Sequence, residues 1–204
     1  MRIVQKMTVM NRSRQFWMLA GFAAAFAGDW MLAVRGSPTG STGFLAGTGF
    51  FALAHVFWTI GQLKDSRPDM RALVAFGLPV VAFASIRLAP VFSFATSAAI
   101  VAYSAVSAVS LSVAFGSRRR YYLAGISLLV LSDLAIGARM LHVPAARYIV
   151  GPTYILAETL LVVSCFHRGE PRFDSPRRGA SAAHGPLRSF SRLRRWRSPS
   201  FCIH

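Results

Sequence analysis

The chain has 204 residues, of which 54% are hydrophobic, and it carries a formal net charge of +16 at pH 7. Its apolar residues are concentrated in long blocks, which argues against an ordinary soluble domain. A helix of about 20 apolar residues, rising about 1.5 Å per residue, spans a hydrocarbon core of roughly 30 Å. The composition therefore predicts an integral membrane protein.

Six such blocks follow one another, at residues 16 to 34, 44 to 63, 72 to 88, 91 to 116, 121 to 141 and 148 to 166. Because lipid cannot pair with backbone polar groups, a membrane-spanning segment is either a helix or part of a closed barrel. The blocks lack the strict alternation of barrel strands. The sequence thus predicts an all-α, polytopic bundle of about six transmembrane helices. Pro90 lies between the third and fourth blocks, so five and seven helices are alternative counts.

The basic residues are distributed unevenly between the two sides of this predicted bundle. With both termini cytoplasmic, the opposite side holds only four of the 23 Lys and Arg residues, namely Arg35, Arg87, Arg139 and Arg147. This asymmetry follows the positive-inside rule and predicts a cell-membrane protein with cytoplasmic termini. The net charge is explained by topology, and we expect no nucleic-acid partner.

Three segments of different composition divide the chain. Residues 1 to 15 are predicted to be a basic cytoplasmic N-terminus without a cleavable signal, and residues 16 to 166 the transmembrane helical domain. Residues 167 to 204 are rich in Arg, Ser, Pro and Gly. Such a tail buries too little apolar area to offset its chain entropy, so we expect it to be disordered and to contact anionic headgroups. The two cysteines, Cys165 and Cys202, lie in different contexts and predict neither a disulfide nor a metal site.

Ionisable side chains within the blocks are the candidate functional residues, because a charge at the bilayer centre is costly. Asp29, Asp133 and Glu158 are the acids inside the blocks, and His55 lies inside the second block. Counted at about 1.5 Å per residue from the outer helix ends, the four share one layer in the outer half of the membrane. That layer indicates either a cavity with a functional site or a buried structural network of hydrogen bonds.

Two further residues join the candidates for substrate binding beside Glu158. Tyr154 lies one helical turn before Glu158, so its hydroxyl is within reach of that carboxyl. Arg139 lies near a helix end, where it either extends to the membrane interface or meets a lipid phosphate at the mouth of the cavity.

Several motifs resemble one known family. They are "AGDWML" (27 to 32), "FLAGTGFFALAHVFW" (44 to 58), "AYSAVSAVSL" (102 to 111), "GISLLVLSDLAI" (125 to 136) and "YILAETLL" (154 to 161). In order and spacing they are similar to the YhhN-like family, which includes the transmembrane-86 lysoplasmalogenases. The similarity covers roughly residues 16 to 166.

The resemblance implies a bundle of about eight helices that hydrolyses the vinyl-ether bond of a lysophospholipid to a fatty aldehyde and a glycerophospho-alcohol. It implies that Asp29, His55 and Asp133 are catalytic and that neither a metal nor another cofactor is needed. The chain departs from the family pattern in two respects. Glu158 stands where the family usually has Gln, and the family's first two helices are expected to be missing before residue 16.

Vinyl-ether hydrolysis requires one protonated carboxyl and one charged carboxylate, as glycosidases do. We expect Asp133 to be the general acid, Asp29 to stabilise the cation and orient water, and His55 to position that water or tune one acid; the two aspartates are interchangeable on the sequence alone. The alternative function is a small proton-coupled transporter or a lipid-binding membrane protein without catalysis, and a purely structural role is a third hypothesis. The oligomeric state stays open, since Gly43 and Gly47 form a GxxxG pair that suits packing within or between chains.

Overall fold

The computed structural model describes residues 2–34, 41–64, 66–117 and 119–166, with side chains from Arg12 onwards. Within these ranges the regular secondary structure is entirely helical. Six of the helical segments are long and apolar enough to cross a membrane. The prediction of an all-α bundle of about six transmembrane helices is confirmed. The basic tail from residue 167 lies outside the described residues.

The six spans follow the predicted blocks closely. They are α1 (Arg2–Val34), α2 (Thr42–Leu63), α3 (Met70–Val91), α4 (Phe94–Ser117), α5 (Arg120–Met140) and α6 (Arg147–Phe166). The helical backbone of α1 extends well beyond its apolar part, which begins at Arg12. Helix α4 begins later than predicted, at Phe94, because a 3-10 turn at Ala89–Val91 and the extended backbone of Phe92 precede it.

Helix α3 is irregular along most of its length. Two π-helical segments, Leu73–Gly77 and Ala84–Leu88, enclose one short α-helical segment. Pro79 has no N–H to donate to the preceding turn, which favours the wider hydrogen-bond pattern before it. The chain leaves the helix at Pro90, as the sequence indicates.

Glycines allow the closest helix contacts. A Cβ added at Gly28 on α1 would lie 3.2 Å from the carbonyl oxygen of Gly47 on α2, so the two backbones nearly touch there. Gly47 therefore packs within the chain. The Trp58 indole donates to the carbonyl of Met18 at 3.2 Å and joins the same two helices.

Successive helices run in opposite directions, so one end of the bundle collects the start of α1, the end of α6, and the α2–α3 and α4–α5 connections. Arg12, Lys64, Arg67 and Arg119 lie at this end, which we call the basic end. Arg14 is buried beside it and donates to the carbonyl of Ser164 at 2.7 Å, which joins α1 to α6.

The α1–α2 contact predicts a sharp difference between two glycine substitutions. In Gly21→Ala the new methyl would lie 2.8 Å from Cε2 of the fully buried Trp58 and closer still to Nε1. Because the indole is fixed by its hydrogen bond, we expect a loss of about 1 to 3 kcal/mol in the free energy of unfolding. Thermal unfolding in detergent measures it.

Gly49→Ala is the matched control, because nothing lies within 4 Å of a Cβ at that position in α2. Alanine is the better helix former, so this variant should be as stable as the wild type or slightly more stable. Equal losses in the two variants would show that the contact between Gly21 and Trp58 is not tight.

Candidate active site

A cavity of about 260 Å³ lies among all six helices, in the half of the bundle away from the basic end. Its walls are mostly aliphatic and aromatic. Two charged residues line it, Asp29 from α1 and Asp133 from α5. In such low-dielectric surroundings a charge or dipole acts more strongly than in water, so both carboxyls are placed to influence a bound molecule.

Asp133 is held by a short chain of side chains. The hydroxyl of Tyr103 on α4 donates to Asp133 Oδ2 at 2.6 Å, and the same hydroxyl lies 3.4 Å from Nε2 of His55 on α2. His55 Nε2 is 4.0 Å from Asp133 Oδ2. His55 is fully buried and is not among the lining residues, whereas Tyr103 and Asp133 both line the cavity and 24% of the Asp133 side chain is exposed.

The donor and acceptor roles in this chain can be assigned. Because the Tyr103 proton is engaged by Asp133, its oxygen is free to accept from His55, which requires the tautomer with hydrogen on Nε2. His55 Nδ1 then carries a lone pair, and it has no hydrogen-bond partner among the described residues. His55 and Tyr103 thus orient Oδ2 of Asp133 and are both positioning residues.

Asp29 is held by a second tyrosine. The hydroxyl of Tyr154 on α6 donates to Asp29 Oδ2 at 2.7 Å, and the Tyr154 ring packs edge-on against Phe51, with ring centroids 6.4 Å apart. Glu158 lies one turn further along α6, within electrostatic range of Asp29. Asp29 is exposed in the bundle, in contrast to the partly buried Asp133. The two carboxyls therefore share a cavity but differ in surroundings.

The predicted site residues fall into two groups in the structure. Asp29, Asp133 and Tyr154 line the cavity, whereas His55, Glu158 and Arg139 are not among the lining residues. His55 lies behind Tyr103, Glu158 lies beside Asp29, and Arg139 is exposed in the last turn of α5. The Tyr154 hydroxyl donates to Asp29, because α1 brings that carboxyl to α6, and it also interacts with Glu158, as the spacing along α6 predicts. Substrate binding by Glu158 and Arg139 stays a prediction.

Tyr103 is the residue that the sequence analysis missed. It lies within the quoted stretch "AYSAVSAVSL", where it resembles any aromatic residue of an apolar helix. One signal was present: Ser107 and Ser110 follow Tyr103 at helical spacing and form a polar stripe with it on α4. The partner of that stripe becomes apparent only when α2 and α4 are known to be neighbours.

Comparison with known proteins agrees with these observations. The YhhN family pattern matches residues 3–165, and the chain belongs to that family. The family match begins at residue 3, whereas the motifs that resemble the family cover the chain only from about residue 16. No curated protein and no solved structure matches the chain.

The two tyrosines should differ in their contribution to stability. Tyr103→Phe removes the hydroxyl that links His55 to the partly buried Asp133, so we expect a loss of about 1 kcal/mol or somewhat more in the free energy of unfolding. Tyr154→Phe removes a hydroxyl from Asp29, which is exposed and less enclosed by protein than Asp133, and should cost less. Chemical or thermal unfolding in detergent measures the stability of the two variants. A larger loss in Tyr154→Phe would contradict this view of the site.

Proposed function

We propose that this YhhN-family protein is an integral membrane hydrolase that cleaves the vinyl-ether bond of a lysophospholipid, giving a fatty aldehyde and a glycerophospho-alcohol. The observation that carries the proposal is that Asp29 and Asp133, from different helices, line one apolar cavity. Paired carboxyls are the machinery by which acetal and glycosidic ethers are cleaved. The proposal includes a cell-membrane location, cytoplasmic termini and no cofactor.

The cavity lining supports a lipid substrate with one apolar chain. Aliphatic and aromatic side chains form most of the walls and suit a hydrocarbon chain, among them Phe44, Leu88, Ile100, Ile136 and Met140. A few hydroxyl groups interrupt these walls, including those of Thr48 and Ser104. Pockets that combine apolar walls with a few polar groups typically bind small amphiphilic molecules. A lysolipid, with one chain and a free glycerol hydroxyl, fits this pattern.

The first chemical step is proton transfer to carbon. Asp133 donates its proton to the vinyl carbon β to the ether oxygen; the electrons of the double bond form the new C–H bond, and the other carbon becomes part of an oxocarbenium ion. The Asp29 carboxylate stabilises this cation through the low-dielectric cavity. Tyr103 and His55 fix Oδ2 of Asp133, so in this scheme the proton to be transferred is on Oδ1.

Water completes the reaction and restores both carboxyls. Asp29 accepts a proton as water attacks the oxocarbenium carbon, and the product is a hemiacetal. The hemiacetal then collapses: its hydroxyl proton passes to Asp133, its C–O bond to glycerol breaks, and the leaving oxygen takes the proton from Asp29. One water is consumed for each aldehyde and alcohol formed. Asp29 suits the carboxylate role because it is the more exposed of the two.

The remaining predicted residues act outside the reacting atoms in this scheme. His55 acts through Tyr103 on Asp133, so this scheme keeps the second of the two roles expected for it, the tuning of one acid. Arg139, exposed at the end of α5, is placed to bind the lipid phosphate at the membrane interface. Glu158 lies within electrostatic range of Asp29 and does not contact the reacting atoms in this scheme.

Substitution of the two aspartates tests the proposal. Asp133→Asn and Asp29→Asn each keep size and hydrogen-bonding capacity but remove the transferable proton or the negative charge. We expect each to lower the rate of aldehyde release from a lysoplasmalogen by about 100-fold or more, since general acid–base catalysis contributes about that much. The measurement uses the purified full-length protein in detergent and a coupled aldehyde assay.

Asp69→Asn is the matched control, because Asp69 caps the start of α3 outside the cavity and Asn is an equally good cap. It should release aldehyde at the wild-type rate. Full activity in folded Asp133→Asn and Asp29→Asn would contradict acid–base catalysis by these residues. Absence of release by a folded wild type, with proton-coupled uptake of a solute into vesicles, would favour the transport alternative instead.

A further inference from the structure

Two matching polar stripes run along the contact between α2 and α4. On each helix three polar residues recur at positions i, i+4 and i+7, which places them on one face. They are His55, Thr59 and Gln62 on α2, and Tyr103, Ser107 and Ser110 on α4. The two helices run in the same direction and pack together, and the rings of His55 and Tyr103 pack edge to face with centroids 5.7 Å apart. The stripes therefore meet in register, and we call this contact the α2–α4 seam.

The α2–α4 seam contains a concentration of buried polar atoms without partners. Ser107 Oγ, Ser110 Oγ and Gln62 Oε1 are all buried, and none has a hydrogen-bond partner within the part of the chain that the structure describes. The hydroxyl of Tyr122, which reaches the seam from α5, is also buried without a hydrogen-bond partner among the described residues. A buried polar group left unpaired costs about 1 to 3 kcal/mol. Four of them along one contact indicate that something hydrogen-bonds to them.

The arrangement of these atoms favours water as their partner. The Tyr122 hydroxyl lies close enough to the hydroxyls of Ser110 and Thr59 to interact with both, and the guanidinium of Arg14 is within electrostatic range. Polar groups that face each other at more than hydrogen-bond distance are commonly bridged by water. A buried water typically makes about three hydrogen bonds to groups that lack other partners. The seam offers both donors and acceptors for such molecules.

The two ends of the α2–α4 seam open to different places. At one end Ser107 lines the cavity that holds Asp133. At the other end the backbone carbonyl of Gln62 accepts from the Ser66 hydroxyl at 2.8 Å, and Lys64 donates to Ser13 at 2.9 Å, at the basic end of the bundle. The polar groups thus form a continuous series from the cavity to the opposite side of the protein.

We propose that a file of water molecules occupies the α2–α4 seam from Ser107 to Tyr122 and Gln62 and connects the cavity with the basic end. This role rests on the proposed function: the file supplies the water that each turnover of the hydrolase consumes. It also allows the carboxyls to exchange protons with the basic side. The lipid enters through the apolar walls, so the two substrates reach the site by separate routes.

Radiolytic labelling of the substrate-free protein in detergent tests for the water directly. Hydroxyl radicals generated by X-rays in H₂¹⁸O modify side chains next to bound water, and mass spectrometry locates the ¹⁸O. We expect Tyr122, which is 0% exposed, to be labelled, and the label to fall several-fold in Ser110→Leu, where the larger side chain fills the seam. Tyr148, which is 67% exposed, is the control and should be labelled equally in both proteins. An unlabelled Tyr122 beside a labelled Tyr148 in the wild type overturns the proposal.

A second variant gives an independent result that does not depend on Ser110→Leu folding. Tyr122→Phe deletes only the hydroxyl. If that hydroxyl binds water, its loss should lower the Tm; if the seam is dry, removal of an orphaned polar group should raise the Tm and contradict the proposal.

Activity measurements then separate this inference from the proposed function. Ser110→Leu should lower kcat several-fold without changing KM, because it slows the supply of water and leaves lipid binding intact. Labelling of Tyr122 without aldehyde release from the wild type would support the water file and contradict the hydrolase. Aldehyde release without labelling would contradict the file and leave the hydrolase standing.

Discussion

A carboxyl inside a membrane is stable only where protein or water surrounds it, and the half of this bundle away from the basic end is organised by that constraint. Asp29 and Asp133 each receive a hydrogen bond from a tyrosine on a different helix, at 2.7 and 2.6 Å. The first bond joins α1 to α6 and the second joins α4 to α5, while His55 adds α2 to the second group. The cavity lies between the two groups, so the interactions that hold the carboxyls also define the space that a substrate would occupy.

Close packing elsewhere makes this polar layer possible. Glycines on α1, α2 and α5 let neighbouring helices approach until backbone atoms or buried rings touch, as at Gly21 against Trp58. The Trp58 indole and the Arg14 guanidinium both donate to backbone carbonyls of other helices, Met18 and Ser164. These contacts fix α1 against α2 and α6 near the basic end. The cavity end is then free to keep an irregular helix, α3, whose second π-helical segment contributes Ala84 and Leu88 to the cavity wall.

The fold could be predicted from the sequence because each span carries its own evidence. Length, hydropathy and the placement of basic residues are local properties, and they predicted six helices with ends within a few residues of those observed, except that α1 begins at Arg2 and not at residue 16. The two aspartates of the cavity could be identified for the same reason, since a charge inside an apolar block is evident without a neighbour. Pro90 also indicated the break between α3 and α4 correctly.

The rest of the site depends on which helices are neighbours, and that is not a local property. Tyr103 gains its role from Asp133 on α5 and His55 on α2, and within α4 only the serines that follow it at helical spacing distinguish it from an aromatic residue that faces lipid. The interaction of Tyr154 with Glu158, its neighbour along the helix, could be predicted, whereas its hydrogen bond to Asp29 could not, because the approach of α1 to α6 is not encoded in either segment alone. His55 was expected at the reaction centre, but Tyr103 separates it from the cavity. The polar stripes on α2 and α4 form one contact only because the two helices are neighbours, which neither helix indicates alone.

The most direct test of the central claim, carboxyl-driven cleavage of a vinyl ether, is the isotopic composition of the products formed in D₂O and, separately, in H₂¹⁸O. Protonation at carbon predicts one deuterium on the carbon next to the aldehyde group. Attack of water on the oxocarbenium carbon predicts that the glycerophospho-alcohol keeps its original oxygen and contains no ¹⁸O. An aldehyde without deuterium, or ¹⁸O in the alcohol, would contradict the mechanism assigned to Asp29 and Asp133.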